Sequence, residues 1–174
     1  AASDVYKRQS DNRVEADRAR HALDMAAAGR RVLVVSSGDP GVFAMAAAVY
    51  EVLETDPTRW QDVDITVLPG ITAMLAAAAR VGAPLGHDFC VINLSDNLKP
   101  WAMIEQRLRL ALQADFAMAF YNPRSNSRAE GFERTLQILK SYGREDRPII
   151  FARAVSTSDE RIVIVPLAEA QPDM

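Results

Sequence analysis

The sequence holds a single cysteine, Cys90, so an internal disulfide is impossible and a small secreted disulfide scaffold is excluded. No apolar run approaches the roughly 20 residues that a membrane-spanning helix needs. There is no dense Lys/Arg block, and the net charge is −3 with a pI near 5.4. A nucleic-acid protein would show a basic stripe, so that partner is excluded. No Ser sits in a Gly-x-Ser-x-Gly elbow, which removes the usual hydrolase signature. Neither a phosphate loop ending in Gly-Lys-Ser/Thr nor a three-glycine dinucleotide fingerprint occurs. Internal repeats and low-complexity tracts are also absent. What remains is an α/β enzyme or binding domain of a reducing compartment, the cytoplasm.

Against these absences stand 174 residues, 49% of them hydrophobic and 25% charged, enough for one sizeable core or two small ones. There are 28 alanines and only 7% aromatics, a composition that suits closely packed helices. Residues 1–10 (AASDVYKRQS) have neither alternation nor a helical stripe and read as a non-native leader. At the other end, Gln171-Pro172-Asp173-Met174 follows a strand-like run without a finished terminus, as in a fragment.

Asn12 and Glu15 form a candidate capping box. Val14, Ala19, Ala22, Leu23 and Ala26 then recur at helical spacing, and Gly29 stands at the C-terminal cap position. Arg31–Ser36 (RVLVVS) and Asp64–Leu68 (DITVL) predict strands buried on both faces. Each leads through a glycine turn into an alanine-rich helix, the first over about 42–53 and the second over 71–81, closed by Gly82. Helices alternating with buried strands imply crossover units on a parallel sheet. The turn-rich stretch 82–86 is the candidate linker. Beyond it come a strand at Phe89–Leu94, a helix at Pro100–Leu112 with Trp101, Ile104, Leu108 and Ala111 on one face, and a strand at Phe116–Tyr121. Ser127 and Glu130 form a second capping box before a helix whose apolar face is Phe132, Leu136 and Leu139. Strands at Pro148–Ala152 and Arg161–Val165 flank a polar loop. The domain reading is therefore a partial N-terminal α/β domain at 11–84 and a C-terminal one at 85–174, incomplete at its end.

Ligands of open α/β sheets bind beyond the carboxyl ends of strands, where loops present N–H groups. Three strand ends carry unusual loops. In Ser37-Gly38-Asp39-Pro40-Gly41-Val42-Phe43, two glycines permit close backbone approach and Asp39 supplies a carboxylate, although an ordinary strand-to-helix turn also favours such residues. In Pro69-Gly70-Ile71-Thr72-Ala73-Met74, Thr72 can cap its helix or hydrogen-bond a ligand. Tyr121-Asn122-Pro123-Arg124-Ser125 crowds a phenol, an amide and a guanidinium into one turn, where solvated turn residues are the plain alternative. His87 and Cys90 make only half of a zinc site, so no metal is expected. Cys90 reads as a small core residue rather than a nucleophile, and His21 as a solvated one.

Taken in order, SGDPGVF at 37–43, LPGITAM at 68–74, YNPRS at 121–125 and the closing ARAV…DERIVIVPL resemble the tetrapyrrole methylases, which use S-adenosylmethionine. SDNRVEADRAR at 10–20, INLSDNLKPW at 92–101 and FYNPRSNSR at 120–128 are similar to the branch that methylates C-17 of precorrin-3B in cobalamin biosynthesis. The resemblance implies two α/β domains with parallel or mixed sheets flanked by helices, and a cofactor cleft between them. It further implies cofactor contacts from Ser37, Gly38, Asp39, Val42, Thr72, Ala73, Asn122 and Ala154. The family's opening strand with its glycine-proline-glycine loop, and its closing strand, have no counterpart here.

The activity so implied is methyl transfer to a reduced tetrapyrrole with contraction of the macrocycle, by a homodimer when the chain is full length. A sulfonium already carries its leaving group, so the protein's task is alignment and exclusion of water. Ring contraction needs proton management, for which Asp96, Tyr121 and Arg124 are the catalytic candidates, though capping explains Asp96 equally well. Two alternatives stand beside this reading. One is a methylase of the cobalt-containing counterpart or of another ring carbon; the other is a non-catalytic module that binds an adenosyl ligand.

Overall fold

A computed structural model describes residues 14–97, 99–124 and 130–174. The chain divides into two compact units, one ending at Thr72 and the other running from Ala73 to Met174. The turn-rich stretch 82–86 thus falls within the second unit. The capping candidates Asn12 and Ser127 lie outside the described residues.

The first unit is built on two helices, α1 (Glu15–Ala27) and α2 (Met45–Thr55). Ala19 and Leu23 of α1 are buried with Met45, Ala48, Val49 and Val52 of α2 and with Trp60. Small residues at the crossing let the two backbones approach, as the alanine-rich composition suggests. Gly29 ends α1 with a φ of +79°, a left-handed cap that glycine adopts without Cβ strain. Asp24 fastens the far side. Its carboxylate accepts from Trp60 Nε1 at 2.9 Å and from Arg59 Nη2 at 2.9 and 3.1 Å.

Here the structure departs from the expected strands. Neither 31–36 nor 64–68 is assigned to a strand, and the segments are covered on one face only. Val34, Val63 and Ile65 pack against the helical core, while Leu33 and Val35 are 79% and 80% exposed. The β-branched pattern by itself implies burial on both faces. Among the described residues neither segment has a ladder partner, and a strand exists only through its partner's hydrogen bonds.

The second unit opens with α3 (Ala73–Arg80). Strand β1 (Phe89–Asn93), helix α4 (Trp101–Gln113) and strand β2 (Ala117–Tyr121) then form a crossover unit. The two strands are parallel, from Phe89 opposite Ala117 to Asn93 opposite Tyr121. Helix α5 (Glu130–Lys140) precedes an antiparallel pair, β3 (Pro148–Arg153) and β4 (Arg161–Pro166), in register from Pro148 opposite Pro166 to Arg153 opposite Arg161. Ile104 and Leu108 are fully buried against Phe132, Leu136 and Leu139, the helix faces that the 3.6-residue period marks. Phe132 meets Phe151 edge to face at 5.9 Å. This core sets the carboxyl ends of β1 and β2 side by side, which places Asn93 next to Tyr121 and Asn122.

Candidate functional site

Two groups of loops hold the residues singled out above, one in each unit. In the first unit, the Asp39 carboxylate joins the two glycine loops. Oδ1 accepts the Gly41 N–H at 2.8 Å, an Asx-type turn within the loop, and Oδ2 accepts the Gly70 N–H at 2.9 Å across to the other loop. Those donors, Gly70 first and Gly41 second, hold the Asp39 carboxyl below the usual carboxylate range. The side chain expected to meet a cofactor thus also ties one loop to the other.

The loops approach so closely that only glycine is accommodated at one point. A Cβ on Gly70 would collide with the Gly38 carbonyl oxygen and lie 3.1 Å from its carbon. Gly38 needs glycine for a different reason, its φ of +70°. Ser37 and Gly38 are exposed, Val42 is half-buried, and Thr72 is buried at 5% exposure. Phe43 also has a positive φ of 52°, an uncommon state for an aromatic residue.

In the second unit, the carboxyl ends of β1 and β2 form the other group. Asn93 Oδ1 accepts the Ser95 N–H at 2.9 Å and Asn122 Nδ2 at 3.1 Å. Asn122 has a φ of 51°, so its side chain is aimed from a left-handed backbone. The Tyr121 hydroxyl accepts the Met74 N–H at 3.0 Å and so satisfies an orphan donor in the first turn of α3. Arg124 donates to the Pro172 carbonyl at 3.2 Å. Asp96 is exposed on the loop after β1, near enough to Lys99 to raise that amine, against the larger lowering by desolvation and by Arg107. Ser125 lies outside the described residues. Ala154, exposed after β3, has a φ of 49° and Ser156 one of 69°.

Three of the expected cofactor loops thus carry a non-glycine residue in the left-handed region: Phe43, Asn122 and Ala154. Such backbone costs free energy and persists only where surrounding contacts hold it; Ala83 and Asp115, in turns outside these loops, share it. Burial pushes the Cys90 thiol up, away from the thiolate that a nucleophile requires. Among the described residues no helix is long and apolar enough to cross a membrane.

The sequence reading gave no site role to Asn93, Arg80 or Glu160, and took Gly70 only as part of a turn. Asn93 carried a signal, since Asn two residues before a Ser N–H at a strand end is an Asx turn. Arg80 and Glu160 carried none, because their contact spans 80 residues of chain.

Residues 2–171 match the tetrapyrrole (corrin/porphyrin) methylases, and the chain belongs to that family. It is 54% identical over 167 residues to a precorrin-3B C(17)-methyltransferase of Sinorhizobium sp, covering 96% of this chain and 66% of that relative. A cobalt-factor III methyltransferase of Priestia megaterium is 42% identical over 156 residues, with 89% of this chain and 29% of that one covered. Among solved structures, that of the methyltransferase CobJ superimposes with a TM-score of 0.91 at 59% identity, over 97% of this chain and 73% of that one. The chain therefore spans about two thirds or less of the curated relatives' lengths.

Proposed function

We propose that the protein transfers a methyl group from S-adenosylmethionine to C-17 of precorrin-3B, with ring contraction, in cobalamin biosynthesis. The observation that carries this reading is the 54% identity to an enzyme of that name across nearly the whole chain. The cofactor fits the residues present. Ser37, Gly38, Ala73, Asn122 and Ala154 are exposed, whereas the Asp39 carboxylate is engaged with backbone. Such loops offer main-chain donors and acceptors, which can pair with the polar edge of an adenosyl moiety. When bound, the sulfonium supplies an electrophilic methyl with its leaving group attached.

The chain's own part is positional. Asp39 fixes the first two loops, and Asn93 sets the amide of Asn122. Val42 and Thr72 then serve as packing for the adenosyl moiety rather than as polar ligands. Tyr121 orients α3 through the Met74 N–H, and we assign it to that task ahead of proton transfer. Asp96 and Arg124 remain our candidates for the proton steps of ring contraction. Asp96 is exposed at the end of β1, and Arg124 presents a cation suited to a substrate carboxylate beyond β2. The lone cysteine fits a reducing compartment, and we place the reaction in the cytoplasm, carried out by a homodimer.

A second reading, methylation of the cobalt-containing counterpart, is favoured by the 42% identity to a cobalt-factor III methyltransferase. Incubating the complete protein separately with cobalt-free and cobalt-loaded substrate, and following mass gain, separates the two. A 14-dalton gain, the mass of a CH2 unit, on the cobalt-free compound supports the first reading. Gain only on the cobalt compound supports the second, and binding without transfer would leave an adenosyl-binding module.

A further inference from the structure

The loop between β3 and β4 is held by a device that the reaction itself does not call for. Glu160 Oε2 accepts the Ser156 N–H at 2.5 Å and Arg80 Nε at 3.2 Å. Within the loop, Thr157 donates from both its N–H and its hydroxyl to the Ala154 carbonyl, at 3.1 and 2.8 Å. Asp159 N–H then donates to Thr157 Oγ1 at 3.2 Å. Two left-handed residues, Ala154 and Ser156, are thereby fixed within three positions. Glu160 is the only side chain among these whose bonds leave the loop, and it reaches the last residue of α3.

That helix is held at its other end as well, where the Met74 N–H meets the Tyr121 hydroxyl. Helix α3 is thus a bar fixed to the end of β2 at one end and to the β3–β4 loop at the other. Ala73, its first residue, and Ala154 are both expected cofactor contacts. We propose that Glu160 and Arg80 are positioning residues of the cofactor site, which set the Ala154 loop against α3 without touching the ligand. The proposal rests on the cofactor reading given above.

Exposure argues that geometry, rather than stability, is what the pair supplies. The Arg80 and Glu160 side chains are 50% and 28% exposed, and ion pairs this open to water contribute little to folding. A small shift of the loop, in contrast, misplaces every main-chain group on it. Affinity for the cofactor should therefore change more than thermal stability does.

The test uses the complete protein with S-adenosylhomocysteine as the probe, titrated calorimetrically beside a melting curve. Glu160→Ala should weaken binding about tenfold while the melting temperature moves little. Glu160→Gln, which keeps an acceptor for the Ser156 N–H, should recover most of that loss. Arg80→Ala should cost less than Glu160→Ala, and nothing further in the Glu160→Ala background. Affinity within twofold of the parent in Glu160→Ala overturns the proposal, as do additive losses from the two alanine variants. A parent that does not bind the probe would overturn the cofactor reading itself, a different result from an insensitive variant.

Discussion

Gly70→Ala tests whether the two glycine loops of the first unit must touch. The new methyl would stand on the Gly38 carbonyl oxygen, with the carbonyl carbon at 3.1 Å and the Asp39 Cα at 3.4 Å. These are backbone atoms, which cannot turn aside as a side chain can. The loops must part by about an ångström to restore ordinary contact, and overpacking of this kind costs about 1–3 kcal/mol. Parting them also stretches the 2.9 Å bond from Gly70 N–H to Asp39 Oδ2. At about 3 °C per kcal/mol for a chain of this size, the melting temperature should fall by several degrees. If relaxation displaces the Ser37–Gly38 backbone, S-adenosylhomocysteine affinity should fall tenfold or more, the equivalent of about 1.4 kcal/mol. Gly41→Ala is the control, because its methyl meets only the Asp39 Oδ1, at 3.2 Å, a contact relieved by a shift too small to break the carboxylate's bonds. Melting curves and calorimetric titration of both variants decide the matter. A Gly70→Ala protein that melts and binds like the parent would refute the reasoning, as would two variants of equal effect.

Three further outcomes follow from named contacts. Asp39 and Glu160 both titrate below their ordinary values, Asp39 through the Gly70 and Gly41 N–H groups and Glu160 through Ser156 and then Arg80. A depressed carboxylate stabilises above its unfolded pKa and loses that contribution as pH falls through the folded one. Melting temperature should accordingly be flat from pH 7 to 5 and drop below about pH 4, less steeply in an Asp39→Asn variant. Ala154→Gly should relieve a left-handed alanine and raise stability by up to about 1 kcal/mol, read by denaturant unfolding; a loss would mean that the strain is absent. Leu108→Ala removes a fully buried side chain from the second unit's core and should cost about 2–5 kcal/mol in the same assay.

The crossover unit around β1, α4 and β2 was legible because periodicity alone specifies it. Ile104, Leu108 and Ala111 recur at helical spacing, and all three are buried. The glycine caps were legible for a local reason too, since Gly29 and Gly82 sit just beyond their helices at positive φ. The runs 31–36 and 64–68 misled because a β-branched segment announces a preference, whereas a ladder requires a partner elsewhere in the chain. At the site, the sequence marked the loops but not how they are held. Asp39 looked like a ligand contact, and only the fold brings the Gly70 N–H to it from 31 residues away. Tyr121 stood out as a phenol at a strand end, and only the fold brings the Met74 N–H to its hydroxyl. Nothing in the identities of Phe43, Asn122 and Ala154 announces a left-handed backbone, which surrounding contacts impose.

The central claim is methyl transfer to one carbon of the macrocycle, and the position of the label tests it most directly. The complete protein is incubated with precorrin-3B and S-adenosylmethionine carrying a 13C-methyl group, and the product is read by carbon NMR. The account predicts one enriched methyl resonance, placed on C-17 by its proton–carbon correlations, on a ring-contracted product. Enrichment at any other ring carbon, or turnover that leaves the macrocycle uncontracted, would contradict it.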